Sequence, residues 1–126
     1  FVLVEGAGGV MAPMDESRTM RDLMKRLRLP VVVVARRGLG TINHSLLSLL
    51  ALKEGGLDVF GIVFNETQNI EPDYIRKDNP TTVAAIGGVR ILGNIDYMDK
   101  FDDAAWRRFE SQFTSLPALL ERIQAS

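Results

Sequence analysis

Pro30 opens a run of five residues, Val31, Val32, Val33, Val34 and Ala35, with no polar side chain among them. A strand with one wet face alternates apolar and polar residues, so an unbroken β-branched run belongs in a sheet covered on both faces. Parallel sheets are built that way, with helices supplying both covers, and the remaining sequence has to provide them.

It does so in alternation. Residues 2–5 form an apolar run that ends in one carboxylate, Glu5, before a turn of Gly6, Ala7, Gly8 and Gly9. Phe1 stands inside that run with no turn before it, as though the chain begins in the middle of a strand. Thr19 with Asp22 three residues on has the pattern of a capping box, and Met20, Leu23, Met24 and Leu27 recur at helical spacing as a core stripe. After the valine run, residues 41–54 read as a helix stopped by Gly55 and Gly56. Residues 59–65 are another apolar run, ending on Asn65 and Glu66. Asn79 and Pro80 then pair as N-cap and first-turn residue of a short helix through Ile86. Residues 89–95 form a further strand, with Asp96 and Tyr97 at its tip. Asp102 or Asp103 caps a helix with Trp106, Phe109 and Phe113 on one face, and Ser115 and Pro117 begin a last helix carrying Leu119, Leu120 and Ile123. The expected fold is α/β, a mainly parallel sheet joined by right-handed crossovers with helices on both faces.

Composition narrows the class. The 126 residues suit one domain with a proper core. A net charge of -1 lacks the basic excess that a phosphate backbone attracts, which argues against nucleic acid as a partner. No apolar run approaches the roughly 20 residues of a membrane span. The absence of cysteine excludes disulfides and thiolate metal sites, in keeping with a cytoplasmic protein.

In open parallel sheets ligands bind outside the carboxyl ends of the strands. Here those ends carry Glu5, Arg36 with Gly38, Leu39 and Gly40, Asn65 with Glu66, and Asp96 with Tyr97. The glycine tip after Glu5 has two readings: an acid beside bare amides that meets a phosphate or a metal, or an ordinary strand exit with a solvated carboxylate. The helix opened by Thr41, Ile42, Asn43 and His44 has no acid in its first turn, so its amides await either a ligand anion or capping by Thr41 or Asn43. His44, the only histidine, cannot build a metal site with its own kind and fits helix packing or hydrogen bonding better than catalysis. Arg36 and Arg37 read as a phosphate grip or as a solvated pair. Asp96, Asp99, Asp102 and Asp103 read as a polar loop plus a helix cap.

VEGAGG at a strand end, then LPVVVVARRGLGTINHSLLSLLAL, GIVFNE and ILGNI, resemble in order and spacing the carboxyl-terminal half of dethiobiotin synthetase over roughly the first hundred residues. The resemblance implies a P-loop NTPase-like, three-layer α/β/α fold, here partial, in a cytoplasmic homodimer. It implies an enzyme that uses ATP, Mg²⁺ and CO2 to close the ureido ring of dethiobiotin on 7,8-diaminopelargonate. By position, Glu5 would be a Mg²⁺ ligand, and Glu5, Gly6, Ala7 and Gly8 would border the phosphates and the reacting carbamate. Asn65 would read the adenine, with Glu66 beside it, and Asn43 would reach across a dimer interface to the substrate carboxylate. Asp96, Tyr97 and Met98 match the segment near adenine and ribose, although the family usually has Pro where this chain has Asp96. No Gly-Lys pair occurs, so the GxxxxGK[ST] loop is not in these residues. The resemblance thus implies a carboxyl-terminal segment of one domain, 1–126, with the catalytic residues in a half preceding Phe1 and no activity of its own. The alternatives are a relative of the cobyrinic acid-type amidotransferase synthetases, against which GLGTINH argues, and a non-catalytic remnant that senses nucleotide or serves structure.

Overall fold

The computed structural model describes residues 2–71 and 73–124. Phe1 and the side chain of Ile123 lie outside the described residues. The elements run α1 (Met20–Leu27), β1 (Val31–Ala35), α2 (Thr41–Glu54), β2 (Val59–Asn65), α3 (Tyr74–Gly87), β3 (Ile91–Ile95), α4 (Asp103–Gln112) and α5 (Leu116–Gln124). The three strands pair in parallel in the order β1-β2-β3.

Helices cover both faces, as expected. On one face Leu49 of α2 and Val83 of α3 close over Ile62 and Phe64 of β2, with Val33 and Ala35 of β1 alongside. On the other, Phe109 and Phe113 near α4 and Leu119 of α5 pack on Phe60, Val63, Leu92 and Ile95, with Val32 alongside. Each fully buried side chain of this size contributes about 1.5–3 kcal/mol relative to an exposed one. Gly61 and Gly93 make this packing possible. A Cβ on Gly61 would meet Leu92 at 2.6 Å, and one on Gly93 would meet the Gln112 carbonyl at 2.6 Å.

Several expectations need correction. The valine run is not the strand buried on both faces: β1 is an edge strand paired only with β2, and Val34 is 67% exposed. The doubly covered strand is the central β2. Residues 2–5 are not a buried strand, because a strand requires a hydrogen-bonded neighbour and, among the described residues, the sheet's three strands do not pair with them; Val2, Leu3 and Val4 are exposed. The stripe of α1 is only half-covered and Leu27 is exposed; Arg21 of this helix donates to the Ala51 carbonyl near the end of α2 at 3.3 Å. Its capping box does form, with the Thr19 N–H and hydroxyl both donating to Asp22 Oδ2 at 2.8 Å.

Asn79 is no N-cap. Asp73 takes that role by accepting from the Arg76 N–H at 2.8 Å, so α3 starts a turn and a half earlier and contains Pro80. Val89 lies outside β3 because its N–H turns back to the Ala84 carbonyl, in the exit that Gly88 makes at φ 55°. Asp102 caps α4 through the Ala105 N–H. No helix among the described residues is long and apolar enough to cross a membrane.

Candidate functional site

Parallel pairing aligns Ala35 with Phe64 and Asn65 with Ile95. The loop after β1, the tip of Asn65 and Glu66, and the tip of Asp96 and Tyr97 therefore share the carboxyl edge of the sheet. Behind them lies a polar network that ties the strand ends together. Arg37, 8% exposed, donates from Nη2 to the Ile95 carbonyl at 3.1 Å and to Asp96 Oδ1 at 2.5 Å. Gln112 completes the Asp96 side, donating from Nε2 to Oδ2 at 2.6 Å and accepting from the Asp96 N–H at 3.0 Å. The Ile95 carbonyl also accepts from the Glu66 N–H at 2.8 Å. Glu66, buried, accepts from Arg76 Nε at 3.2 Å.

Charges placed this deep persist only when paired and hydrogen-bonded. The Arg37 hydrogen bond holds the Asp96 carboxyl below the usual carboxylate range, against the opposing effect of partial burial. Arg37 is thus neither a phosphate grip nor a solvated residue, while its neighbour Arg36 is exposed.

The start of α2 is bare of side-chain caps. Its N-cap is Gly40, at φ 88°, and the Thr41 hydroxyl is turned to the Arg36 carbonyl instead. Thr41 therefore does not cap the helix. His44 is exposed rather than packed, and it shares with Arg36, Thr41, Ser45 and Ser48 a cleft of about 220 Å³ along β1. Asn43 is exposed in the first turn.

Asn65 is half-buried, and among the described residues its side-chain amide has no hydrogen-bond partner, which leaves it available to a ligand. Tyr97 is 37% exposed, whereas Met98 packs against the second core cluster. Glu5, Gly6, Ala7 and Gly8 are exposed; Met20 of α1 lies 3.2 Å from the position of a Gly6 Cβ, and the Ala12 Cβ lies 3.0 Å from that of Gly8. No hydrogen bond or ion pair joins Glu5 to the strand-end network among the described residues.

No cluster of three metal-ligating side chains exists among the described residues. Mg²⁺ does not require one, because it keeps several waters and takes one or two carboxylates together with substrate phosphates. An exposed, unpaired Glu5 is a hard oxygen donor of that kind. Sequence reasoning passed over Arg76, Gln112 and the buried side of Asn79, whose partners lie 10 to 42 residues away.

A family model described as AAA domain matches residues 1–105. The ATP-dependent dethiobiotin synthetase BioD of Paramagnetospirillum magneticum is 46% identical over 94 residues, 75% of this chain and 42% of its own. The enzyme of the same name from Thermodesulfovibrio yellowstonii is 36% identical over 122 residues, 87% of this chain and 51% of its own. The biotin biosynthesis bifunctional protein BioCD of Bordetella avium is 39% identical over 119 residues, 94% of this chain and 24% of its own. The chain spans about half the length of the synthetases it matches.

Proposed function

The chain belongs to the AAA domain family and stands among its dethiobiotin synthetases, and from that premise we propose that it is the carboxyl-terminal half of an enzyme that makes dethiobiotin. One amine of 7,8-diaminopelargonate attacks CO2 and loses a proton to give a carbamate. The carbamate oxygen takes the γ-phosphoryl group of ATP, releasing ADP. The second amine then attacks the carbonyl carbon, expels phosphate and closes the ring.

In this reading Asn65 reads the adenine, with Glu66 behind it, and Asp96, Tyr97 and Met98 flank the adenine and ribose. Gly6, Ala7 and Gly8 leave room for the phosphates. Glu5 would hold Mg²⁺, which neutralises phosphate charge when bound. Asn43 meets the substrate carboxylate from the uncapped start of α2, across the interface of a homodimer in the cytoplasm. Phosphoryl transfer depends on positioning and charge neutralisation, so the half with the phosphate loop has to be present for turnover.

The observation that carries the reading is the 46% identity to a dethiobiotin synthetase across 94 residues, a stretch long enough to take in the polar strand ends. The test is ATP-dependent dethiobiotin formation by the chain alone and joined to the amino-terminal half of a relative. Activity only in the joined protein is expected. Ring closure by the chain alone, or none by the joined protein, would overturn the proposal.

A further inference from the structure

Asn79 is 5% exposed in the middle of α3, immediately before Pro80. Asparagine is a poor helix former, because its amide competes with the backbone, and a buried amide must find partners. Asn79 finds them outside its own helix. Its Nδ2 donates to the Arg37 carbonyl at 2.8 Å and approaches the Gly38 carbonyl at 3.4 Å. The loop that receives these bonds leads directly into α2 and Asn43.

That loop is held at successive carbonyls. The Arg36 carbonyl accepts from the Thr41 hydroxyl, and the Gly38 carbonyl from the Thr41 N–H at 3.2 Å. Both of those donors belong to the start of α2, so they move with the loop. The hold from another element comes from Asn79, at 2.8 Å on the Arg37 carbonyl between them and more weakly, at 3.4 Å, on that of Gly38.

One turn earlier on the same helix, Arg76 pairs with Glu66 beside Asn65. Its Nη2 also lies 3.4 Å from where a Cβ on Gly38 would stand. The amino-terminal half of α3 therefore touches the element on each side of it: the tip of β2 through Arg76, and the loop after β1 through Asn79.

We propose that α3 positions the two elements it touches: the loop into α2, which presents Asn43 across the dimer interface, and the tip of β2, which carries Asn65. Asn79 is a positioning residue for Asn43 and thus for the substrate carboxylate, and Arg76 is a positioning residue for Asn65 and thus for the nucleotide. This rests on the dethiobiotin synthetase reading above.

The test uses the complete enzyme, with two diamines: 7,8-diaminopelargonate and an analogue carrying a methyl group in place of the carboxylate. Asn79→Ala removes the donor and leaves a carbonyl without its partner, so KM for the natural substrate rises about tenfold. KM for ATP and kcat stay within about twofold on the same grounds. The analogue lacks the group that Asn43 meets, so its kcat/KM does not respond to Asn79→Ala. Arg76→Gln gives the converse, a higher KM for ATP with the diamine affected equally little. A purely structural role would penalise both diamines alike, and that result, or no change in any KM, overturns the proposal. Asn79→Ser retains a polar group out of reach of the loop and should repeat the pattern. If neither Asn79 variant unfolds cooperatively on heating, the residue serves folding and the proposal fails. The unsubstituted enzyme separates the two levels: no dethiobiotin from it overturns the functional reading and this one with it, whereas dethiobiotin with equal penalties overturns the positioning alone.

Discussion

Gly93 lies under the last turn of α4, and a methyl group added there meets backbone on the side where relief is hardest. The Cβ of Gly93→Ala would stand 2.6 Å from the Gln112 carbonyl oxygen and 3.0 Å from Phe113 Cα. Ordinary carbon contacts begin near 3.5 Å, so the end of α4 has to retreat by most of an ångström. Overpacking of this kind costs typically 1–3 kcal/mol. With two backbone atoms in the way, the upper figure applies, about 3 kcal/mol. For a domain of this size that lowers Tm by roughly 9–15 °C, at about 3–5 °C per kcal/mol. The retreat also draws Gln112 away from Asp96, to which it is joined at 2.6 Å and 3.0 Å. Thermal unfolding followed by circular dichroism measures the loss, and Trp106 fluorescence reports on α4 itself. Gly9→Ala is the control, because nothing lies within 4 Å of its Cβ position, and it should change stability by less than about 0.5 kcal/mol. If Gly93→Ala unfolds within a degree or two of the unsubstituted chain, α4 does not rest on β3 as described.

Glu66→Gln keeps size and removes charge, leaving Arg76 largely buried with only the longer 3.6 Å contact to Asp73; urea unfolding should register a loss of about 3 kcal/mol, the low end for a broken buried pair, and an unchanged midpoint would refute it. Asp96 has a folded-state pKa below its unfolded one, so its pair with Arg37 stabilises at pH values above the unfolded pKa and that contribution is lost as pH falls through the folded pKa. Urea titrations from pH 6 downward should therefore show a steeper acid loss below about pH 4 in the unsubstituted chain than in Asp96→Asn; parallel curves would refute the pairing. Glu5→Gln should leave thermal unfolding unchanged, since the side chain is exposed and unpaired, yet lower kcat of the complete enzyme by roughly 10²-fold, partly recoverable with added Mg²⁺; full activity at limiting Mg²⁺ would make Glu5 a solvated residue only.

Much of the architecture was legible because local signals agreed with one another. Thr41–Glu54 has a glycine before it and two after it, and Val59–Asn65 is apolar to its last residue, so propensity and burial coincide. Asn79 and Pro80 misled because the same pair suits a helix start and a buried helix interior, and the stronger cap at Asp73 lay in a polar stretch that reads as a loop. Residues 2–5 have the composition of a strand, but pairing depends on a neighbour that composition does not describe. The polar tips of the candidate site were legible as tips. What stands behind them was not: Arg37 next to Arg36 looks solvated until Asp96, 59 residues away, is brought to it. Asp96 was legible as a strand tip and as a departure from proline, and its partners Arg37 and Gln112 supply the reason an acid is tolerated there.

The edge position of β1 has a practical consequence. Its outer side presents unpaired backbone N–H and C=O groups along Val31–Ala35, and the run carries no charge, no glycine and no proline. Natural edges usually hold a lysine, a proline or a bulge to discourage recruitment of another chain. Here a register shift interrupts the ladder between Val31 and Val32, and the valines beyond it form an uncharged edge that templates β-pairing between molecules. The isolated chain should accordingly lose solubility with protein concentration well before it loses helix content, and Val34→Lys, at the most exposed valine of the strand, is the substitution that slows precipitation with little disturbance of the core.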